Sequence, residues 1–476
     1  MTLASKISTD ILTTAIFKAS MKVRGLVFIP LLTISLGVSD YGAFVQVNAI
    51  ATLVALVCLL GYDTGYVRYI HETDEEGRLF GSLLASTLTV ATAGGALVVV
   101  MSELLARYTL QTTAYTTLFA IGGAYVIVHS LFQLSRSHYQ ATQRVKTFSL
   151  IEAMDVYLSV GAVAVTVLVL GGGVELAFGT FVGIHLLMTL SMVGDITHRG
   201  GIGVPTSAHV VDCTRFSLGA MGNTVSGSLL YKTDRVLIGF FLGASAVGIY
   251  SVAYSVGQLI KLFYQPISIS FFPEFSQLWT RGDQDRIREY LLRGIRYALL
   301  IGIPSIAGFA LVGEEVMALL STDEIAEAGS LPLILIASAL LIRGIGLFYS
   351  KMFYAKGTSR IPALIQFGAA VVNVPLNVVL IPIVGIIGAA LATLISFSGV
   401  ALLTASLWQY EFRVVPQWSE IGLMVFAAAV MLVVFILLPL PWPVVVLTAP
   451  PVYFGVFVAL GGLTGEEQRL IKQVVR

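Results

Sequence analysis

The stretch Tyr231–Ile260 reads YKTDRVLIGFFLGASAVGIYSVAYSVGQLI, two apolar runs joined by a short turn of small residues. The runs extend beyond the quoted residues, to 216–243 and 246–272. A membrane-spanning helix needs roughly 20 mostly apolar residues. This stretch therefore predicts two spanning helices that follow each other through a tight turn.

The rest of the chain repeats this pattern. Of its 476 residues, 57% are hydrophobic and 12% are charged, whereas soluble domains carry about 25% charged residues. Composition thus excludes soluble, coiled-coil, collagenous and disordered proteins, and it predicts an all-α integral membrane protein with about fourteen transmembrane helices. The predicted spans lie near 12–36, 42–66, 79–104, 113–135, 148–170, 174–195, 216–243, 246–272, 290–312, 331–354, 361–381, 385–408, 420–439 and 443–463.

Lys and Arg in the connections predict the orientation. With a cytoplasmic N-terminus, nearly all of the connecting cations fall on the cytoplasmic side, and Arg107 alone falls outside. The predicted outer loop 313–330 carries acids and no cation. This bias follows the positive-inside rule, so both termini are predicted to be cytoplasmic in a multi-pass protein of the cell (plasma or inner) membrane.

An internal repeat suggests how the helices are grouped. Leu36–Phe44 reads LGVSDYGAF and Leu242–Tyr250 reads LGASAVGIY, and both are predicted outer turns at corresponding places in the helix order. Two related halves are a familiar transporter plan. The repeat predicts two pseudo-symmetric six-helix lobes, 1–200 and 210–410, followed by two additional helices and a cytoplasmic amphipathic tail in 418–476.

Three segments resemble one known family. They are Tyr231–Ile260, the link IPIVGIIGAALATLIS at Ile381–Ser396, and RGLVFIPLLTISLGVSDYGAF at Arg24–Phe44. They are similar to the polysaccharide-biosynthesis, O-antigen-translocase-like flippases of the multidrug/oligosaccharidyl-lipid/polysaccharide exporter superfamily. The resemblance implies transfer of a lipid-linked oligosaccharide from the inner to the outer leaflet, for cell-surface polysaccharide or glycoprotein-glycan assembly. It also implies a polyprenyl or dolichyl carrier, and glycan-assembly enzymes as further partners.

Seven cations fall within predicted spans, where each costs about 2.5 to 3.5 kcal/mol at a helix centre. Such residues line a cavity, reach an interface or pair with an acid. Lys and Arg are the side chains that compensate phosphate charge, so these residues are the candidates for binding the carrier phosphate. In order of preference they are Arg343, Lys232 and Arg235, then Lys22 and Arg24, then Lys261 and Lys18.

A glycan also needs a polar passage. Candidates are the polar residues inside apolar spans, although interhelical hydrogen bonding explains any one of them as well. They are Asn223, Tyr231, Gln258, Tyr264 and Asn373. Asp234 is the candidate for the coupling ion, with an ion pair to a neighbouring helix as the alternative.

Four other acidic residues lie near the ends of predicted spans, where a carboxylate is expected to be solvated. They are Asp63, Glu152, Asp155 and Glu274. His129 and His185 lie within spans, where packing is favoured over a proton relay. An interior rich in cations favours an anionic substrate over the alternative, a cation-coupled multidrug exporter of the same superfamily.

Missing motifs limit the chemistry. The chain has neither a G-x-x-x-x-G-K-[ST] phosphate loop nor an H-E-x-x-H zinc motif. No cofactor, metal site or catalytic residue is predicted, and the chain is not expected to be an enzyme. A membrane-embedded glycan polymerase or ligase is the less favoured alternative, because it would need a long outer loop with catalytic residues.

Two prolines inside spans, Pro30 and Pro266, are the predicted hinges of lobe motion. Proline removes a backbone hydrogen bond and bends a helix. A static kink is the alternative interpretation of each.

Overall fold

The computed structural model describes residues 27–73, 75–412, 418–465 and 467. These residues form seventeen α-helices, with no β-strand among them. The helices are α1 (Val27–Leu36), α2 (Val38–Cys58), α3 (Tyr62–Tyr69), α4 (Glu76–Val100), α5 (Ser102–Thr109), α6 (Thr116–Ala141), α7 (Val145–Ala164), α8 (Val174–Gly200), α9 (Ser207–Leu242), α10 (Ala244–Gly257), α11 (Lys261–Arg281), α12 (Gln284–Leu320), α13 (Asp323–Ala355), α14 (Arg360–Val384), α15 (Ile386–Phe412), α16 (Trp418–Leu437) and α17 (Trp442–Ala459).

Some of the predicted site residues lie outside the described part of the chain. Lys18, Lys22 and Arg24 precede its first residue, and the side chain of Asn223 is not described. Most of the predicted amphipathic tail also falls outside it.

Twelve described segments are long and apolar enough to cross a membrane, which confirms an all-helical, multi-pass membrane protein. The other two predicted spans correspond to α1 and α9. Helix α9 has 36 residues but carries several charges, namely Asp212, Arg215, Lys232, Asp234 and Arg235. Large apolar side chains point outward from the spans, as Val100 and Leu447 do with exposures of 81% and 76%. Such surfaces are stable against lipid tails and costly in water.

The chain divides into two compact units, Met1–Ser251 and Val252–Arg476. In the first unit, α6 packs against α2, α4 and α8, while α9 packs against α2, α3 and α4. In the second unit, α13 packs against α12 and α15, and α16 and α17 pack on α12. The functional lobe boundaries predicted from the repeat, near residues 200 and 410, stay a prediction.

The two repeated turns have matching backbones and pack on each other within the first unit. Gly37 and Gly243 break the helices with φ angles of 89° and 82°, which glycine adopts at no steric cost. A Cβ on Gly42 would collide with the Ala244 carbonyl oxygen, and a Cβ on Gly248 would lie 2.5 Å from the Val38 oxygen. Each copy of the repeat therefore places its second glycine against the other copy, the reciprocal pattern that two-fold related contacts produce.

Two local features differ from the simplest sequence interpretation. The predicted outer loop 313–330 is almost entirely helical, because α12 continues to Leu320 and α13 begins at Asp323. A 3₁₀ turn at Gln258–Ile260 separates α10 from α11, six residues before Pro266. A 3₁₀ turn has a different hydrogen-bond pattern from an α-helix, and proline removes a backbone hydrogen bond, so this region combines two features that interrupt regular helix geometry.

Candidate functional site

The first unit contains a cavity of about 340 Å³, which we call the N-terminal cavity. Its walls come from α2, α6, α7, α8 and α9. The lining residues are Asn48, Thr52, Tyr125, His129, Phe132, Gln133, Arg136, Glu152, Asp155, Val156, His185 and Lys232. Most of these side chains are polar or charged, so the cavity brings together hydrogen-bonding groups from five helices.

Lys232 is contributed to the N-terminal cavity by α9. The residue is partly buried, and it has no acidic partner among the described residues. A buried cation without an acid is costly unless something else balances it. The ammonium group of Lys232 is therefore suited to meet an anion that enters the cavity.

A second cation of the cavity is already neutralised. Arg136 Nη1 on α6 lies 2.8 Å from Glu152 Oε1 on α7, and the Glu152 side chain is 14% exposed. This ion pair holds α6 and α7 together and cancels its own charge. It leaves Lys232 as the cation that determines the charge offered to an anion here.

The deepest acid of the cavity faces a histidine. Asp155 on α7 and His185 on α8 are 7% and 3% exposed, and His185 Nε2 lies 3.3 Å from Asp155 Oδ1. The imidazole is packed among aromatic rings, with Phe181 at a centroid distance of 4.4 Å and Tyr125 at 5.5 Å. A buried acid and base are thus held in contact on neighbouring helices.

Sequence reasoning missed this pair. It expected Asp155 to be solvated and His185 to serve in packing, whereas Asp155 is buried and the two side chains meet. One signal was available, because His129, Gln133 and Arg136 follow each other by four and three residues along α6 and share one helix face. A polar stripe of this kind inside a span indicates a wet cavity facing it.

The neighbours of Lys232 on α9 have different surroundings. Arg235 is not among the residues that line the N-terminal cavity, and its Nη1 donates to the Tyr231 carbonyl oxygen at 2.7 Å. Asp234 is 1% exposed and accepts a 2.6 Å hydrogen bond from the Tyr250 hydroxyl. It also accepts from the backbone N–H of Arg235 at 3.0 Å. These bonds fit a structural role for Asp234, and its assignment to a coupling ion stays a prediction.

The second unit holds the other leading candidate. Arg343 on α13 is 5% exposed, and its Nη2 donates to Gln366 Oε1 on α14 at 2.5 Å. Its guanidinium carbon lies 5.6 Å from the centroid of the Phe397 ring, and its Nε is buried with no hydrogen-bond partner among the described residues. The charge of Arg343 is therefore held by neutral groups, which leaves it able to attract an anion.

The remaining predicted residues of this unit are engaged locally. Lys261 Nζ donates to Gln258 Oε1 at 3.1 Å. The ring of Tyr264, which is 1% exposed, lies against Gly344. Asn373 Nδ2 donates to Ser396 Oγ at 3.1 Å, which joins α14 to α15. For Asn373, the interhelical hydrogen bond that sequence analysis gave as the alternative is observed.

The two predicted hinges lie in helices. Pro30 is partly buried in α1, and Pro266 is exposed in the first turns of α11. Their positions are compatible with a hinge and with a static kink, so the hinge role stays a prediction.

Comparison with the profiles of known protein families shows to which family this chain belongs. The profile described as polysaccharide biosynthesis protein matches residues 9–279, more than half of the chain. The chain belongs to the polysaccharide biosynthesis protein family. A second profile, MatE, matches residues 220–379. Both matches agree with the superfamily that the sequence resembles.

Curated relatives are named as flippases. One, "Probable flippase AglR" of Haloferax volcanii, is 28% identical over 405 residues, which cover 84% of this chain and 83% of the relative. Another from the same organism, "Probable low-salt glycan biosynthesis flippase Agl15", is 29% identical over 200 residues, 42% of each chain.

Solved structures share the fold at low identity. The inward closed conformation of the lipid II flippase MurJ has a TM-score of 0.78 at 16% identity and covers 94% of this chain and 98% of its own. An inward-facing multidrug resistance MATE transporter has a TM-score of 0.67 at 16% identity and covers 84% and 98%. At such identity the likeness concerns the fold, which is the two-lobed helical architecture of this superfamily.

Proposed function

We propose that this protein is a flippase that moves a lipid-linked oligosaccharide from the cytoplasmic to the outer leaflet, for assembly of cell-surface polysaccharide or glycoprotein glycans. Membership of the polysaccharide biosynthesis family and the names of its flippase relatives support this class of substrate. The protein binds and moves the glycolipid and changes none of its bonds.

The proposed mode of substrate binding rests on Lys232. A lipid-linked glycan has a phosphate or pyrophosphate between lipid and sugar, and this anion must cross an apolar layer. Lys232 offers a positive charge in a polar cavity without an acidic partner among the described residues. We assign it to the carrier phosphate, because an ammonium group gains most from an anion where water is scarce.

Three other predicted cations are further candidates for binding the phosphate. Arg343, whose charge is met by neutral groups in the second unit, is a further phosphate contact. Arg235 and Lys261 are weaker candidates, because each already has a hydrogen-bond acceptor nearby. The polar lining of the N-terminal cavity, including Asn48 and Gln133, is proposed to hydrogen-bond the glycan.

The lipid carrier and the motion belong to the same proposal. Polyprenyl and dolichyl carriers present the same phosphate, so the polar groups named above serve either one, while the lipid chain stays in the bilayer. We propose that lobes 1–200 and 210–410 alternate access, with 418–476 as an accessory segment. Rocking of two repeats around a central substrate is the usual mechanism of such transporters. Pro30 and Pro266 are the proposed hinges.

The experiment is a reconstituted flipping assay. Purified protein is placed in vesicles that carry a labelled polyprenyl-linked oligosaccharide in both leaflets, and a glycosidase is added outside. With active protein the inner-leaflet half becomes digestible, whereas it stays protected in protein-free vesicles. The MatE match supports a second candidate function, that of a cation-coupled multidrug exporter. The same vesicles can test it. Transport of a cationic dye, with the glycolipid still protected, would identify a multidrug exporter instead.

A further inference from the structure

The contact between His185 and Asp155 constrains where protons sit. His185 Nδ1 lies 3.1 Å from the Phe181 carbonyl oxygen, and a carbonyl can only accept, so Nδ1 carries a hydrogen. In neutral imidazole the other nitrogen is then an acceptor. That nitrogen, Nε2, lies 3.3 Å from Asp155 Oδ1. Two acceptors would face each other at this distance unless one proton lies between them, on either partner.

Burial makes that proton important. His185 and Asp155 are 3% and 7% exposed, so water screens neither of them well. An isolated carboxylate in such surroundings is strongly disfavoured. A shared proton removes the net charge of the pair, either as imidazolium with carboxylate or as imidazole with carboxylic acid.

The other ionisable residues that line the cavity lie on α6, α7 and α9. On α6, Arg136 is paired with Glu152 of α7. His129, also on α6, has its Nε2 atom 3.3 Å from the amide nitrogen of Gln133. Helix α2 contributes only the uncharged Asn48 and Thr52.

Lys232 is the other lysine or arginine among the described residues that line the cavity. Without the shared proton, the carboxylate of Asp155 balances Lys232 and the cavity is neutral. With it, the pair is neutral and the cavity is positive.

We propose that His185 and Asp155 form a proton-binding site that is linked to phosphate binding at Lys232 in the same cavity. This inference rests on the proposed function, since it takes the lipid-linked phosphate as the anion. Proton uptake makes the cavity positive and favours the phosphate. By thermodynamic linkage, phosphate binding must favour proton uptake to the same extent. The protein thereby gains a proton when it binds its glycolipid.

The test measures binding as a function of pH. The probe is a fluorescent short-chain polyprenyl-phosphate hexose, a phosphodiester whose charge is constant across the pH range used. Its Kd for the purified, detergent-solubilised protein is determined from pH 5.5 to 8.5. We expect the wild-type Kd to rise by up to about tenfold per pH unit as the shared proton is lost, the limit for linkage to one proton.

Two substitutions should remove or displace the pH dependence of binding. In Asp155→Asn the amide can donate to His185 Nε2 without carrying charge, so binding should be tight and independent of pH. In His185→Gln the carboxyl group of Asp155 no longer has an imidazole with which to share the proton, so the pH range over which the Kd changes should shift away from that of the wild type. The matched control His198→Gln, an exposed histidine on the same helix, should behave as the wild type.

Proton uptake provides a second measurement that needs no variant. Addition of the probe to wild-type protein in weak buffer with a pH indicator, at the pH where the Kd changes most steeply, should remove a measurable fraction of a proton, at most one, per bound probe from solution. A wild-type Kd that does not change with pH, an uptake of zero, or an Asp155→Asn variant with the wild-type pH profile would overturn the proton site while the flippase proposal stands. A folded wild-type protein that binds no probe at any pH would contradict the proposed function itself.

Discussion

The hydroxyl oxygens of Ser39 and Ser245 lie 2.6 Å apart, 206 residues apart in sequence. The two serines occupy the same position in the two copies of the repeat, three residues after Leu36 and Leu242. A residue that meets its own counterpart lies on the pseudo-two-fold axis that relates the copies. The repeat seen in sequence is therefore also a contact in space, and this contact can be tested chemically.

We predict that Ser39→Cys/Ser245→Cys can be locked by oxidation. The two side chains are close and exposed, within the range that a disulfide can bridge. If the two turns separate during transport, the oxidised protein should stop flipping glycolipid in the vesicle assay and recover on reduction. The single variant Ser39→Cys is the control. Equal flipping by the oxidised and reduced double variant would show that this contact stays closed throughout the cycle.

A second prediction concerns the glycines beside these serines. Gly42→Ala should destabilise the protein, because its methyl group would collide with the Ala244 carbonyl oxygen and backbone atoms cannot easily move aside. Overpacking of this kind costs about 1 to 3 kcal/mol. The measurement is the melting temperature in detergent. The matched control is Gly179→Ala on α8, where a methyl group would meet nothing within 4 Å. Equal melting temperatures of the two variants would argue against the close packing of the turns.

The fold could be predicted well from the sequence, because each membrane-spanning helix needs a run of roughly 20 mostly apolar residues. Twelve of the fourteen predicted spans correspond to described segments long and apolar enough to cross a membrane, and a thirteenth corresponds to α9, whose charges lower its apolar character; most of the first predicted span lies outside the described residues. The repeated pattern of Gly37 and Gly42 with Gly243 and Gly248 also indicated matching turns correctly. Both signals are local, so they can be detected without knowledge of tertiary contacts.

Tertiary pairing could not be predicted from the same information. Asp155 and His185 lie on successive helices, and only packing decides that their side chains meet. Lys232 and Arg235 are three residues apart, a spacing that places two side chains on one helix face, yet Lys232 lines the cavity while Arg235 bonds to the backbone of its own helix. Asn373 is a candidate for the polar passage, and its side chain also joins two helices. A polar residue inside a span is therefore a candidate for function, but its role depends on which groups its side chain contacts.

A third prediction tests Arg343. Arg343→Ala should lower glycolipid flipping by about tenfold or more, equivalent to at least 1.4 kcal/mol of lost phosphate interaction. The protein should still be inserted, because Gln366 remains a neutral group that can find other partners. The exposed Arg360→Ala is the control. Normal flipping by a well-inserted Arg343→Ala variant would restrict phosphate binding to the first unit.

A fourth prediction concerns the two additional C-terminal helices. Arg296 on α12 contacts Glu420 at the start of α16, and its Nη2 lies 3.0 Å from Glu467 and 2.7 Å from the Gly462 carbonyl oxygen. Its side chain is only 10% exposed, and breaking a buried ion pair costs about 3 to 5 kcal/mol.

Arg296→Ala should therefore lower the melting temperature and speed proteolysis around α16. Arg293→Ala removes the exposed pair with Glu289 on the same helix and should change little, since exposed pairs contribute about 0 to 1 kcal/mol. Equal stability of the two variants would mean that Arg296 does not hold these helices.

The most direct test of the account is the flipping rate of Lys232 variants in reconstituted vesicles. Lys232→Gln keeps a polar side chain of similar length without the charge, Lys232→Arg keeps the charge, and the exposed Lys146→Gln is the control. We predict that Lys232→Gln loses about tenfold or more of the rate while Lys232→Arg retains most of it and Lys146→Gln all of it. A Lys232→Gln variant that flips the glycolipid at the wild-type rate would contradict the claim that this charge binds the carrier phosphate.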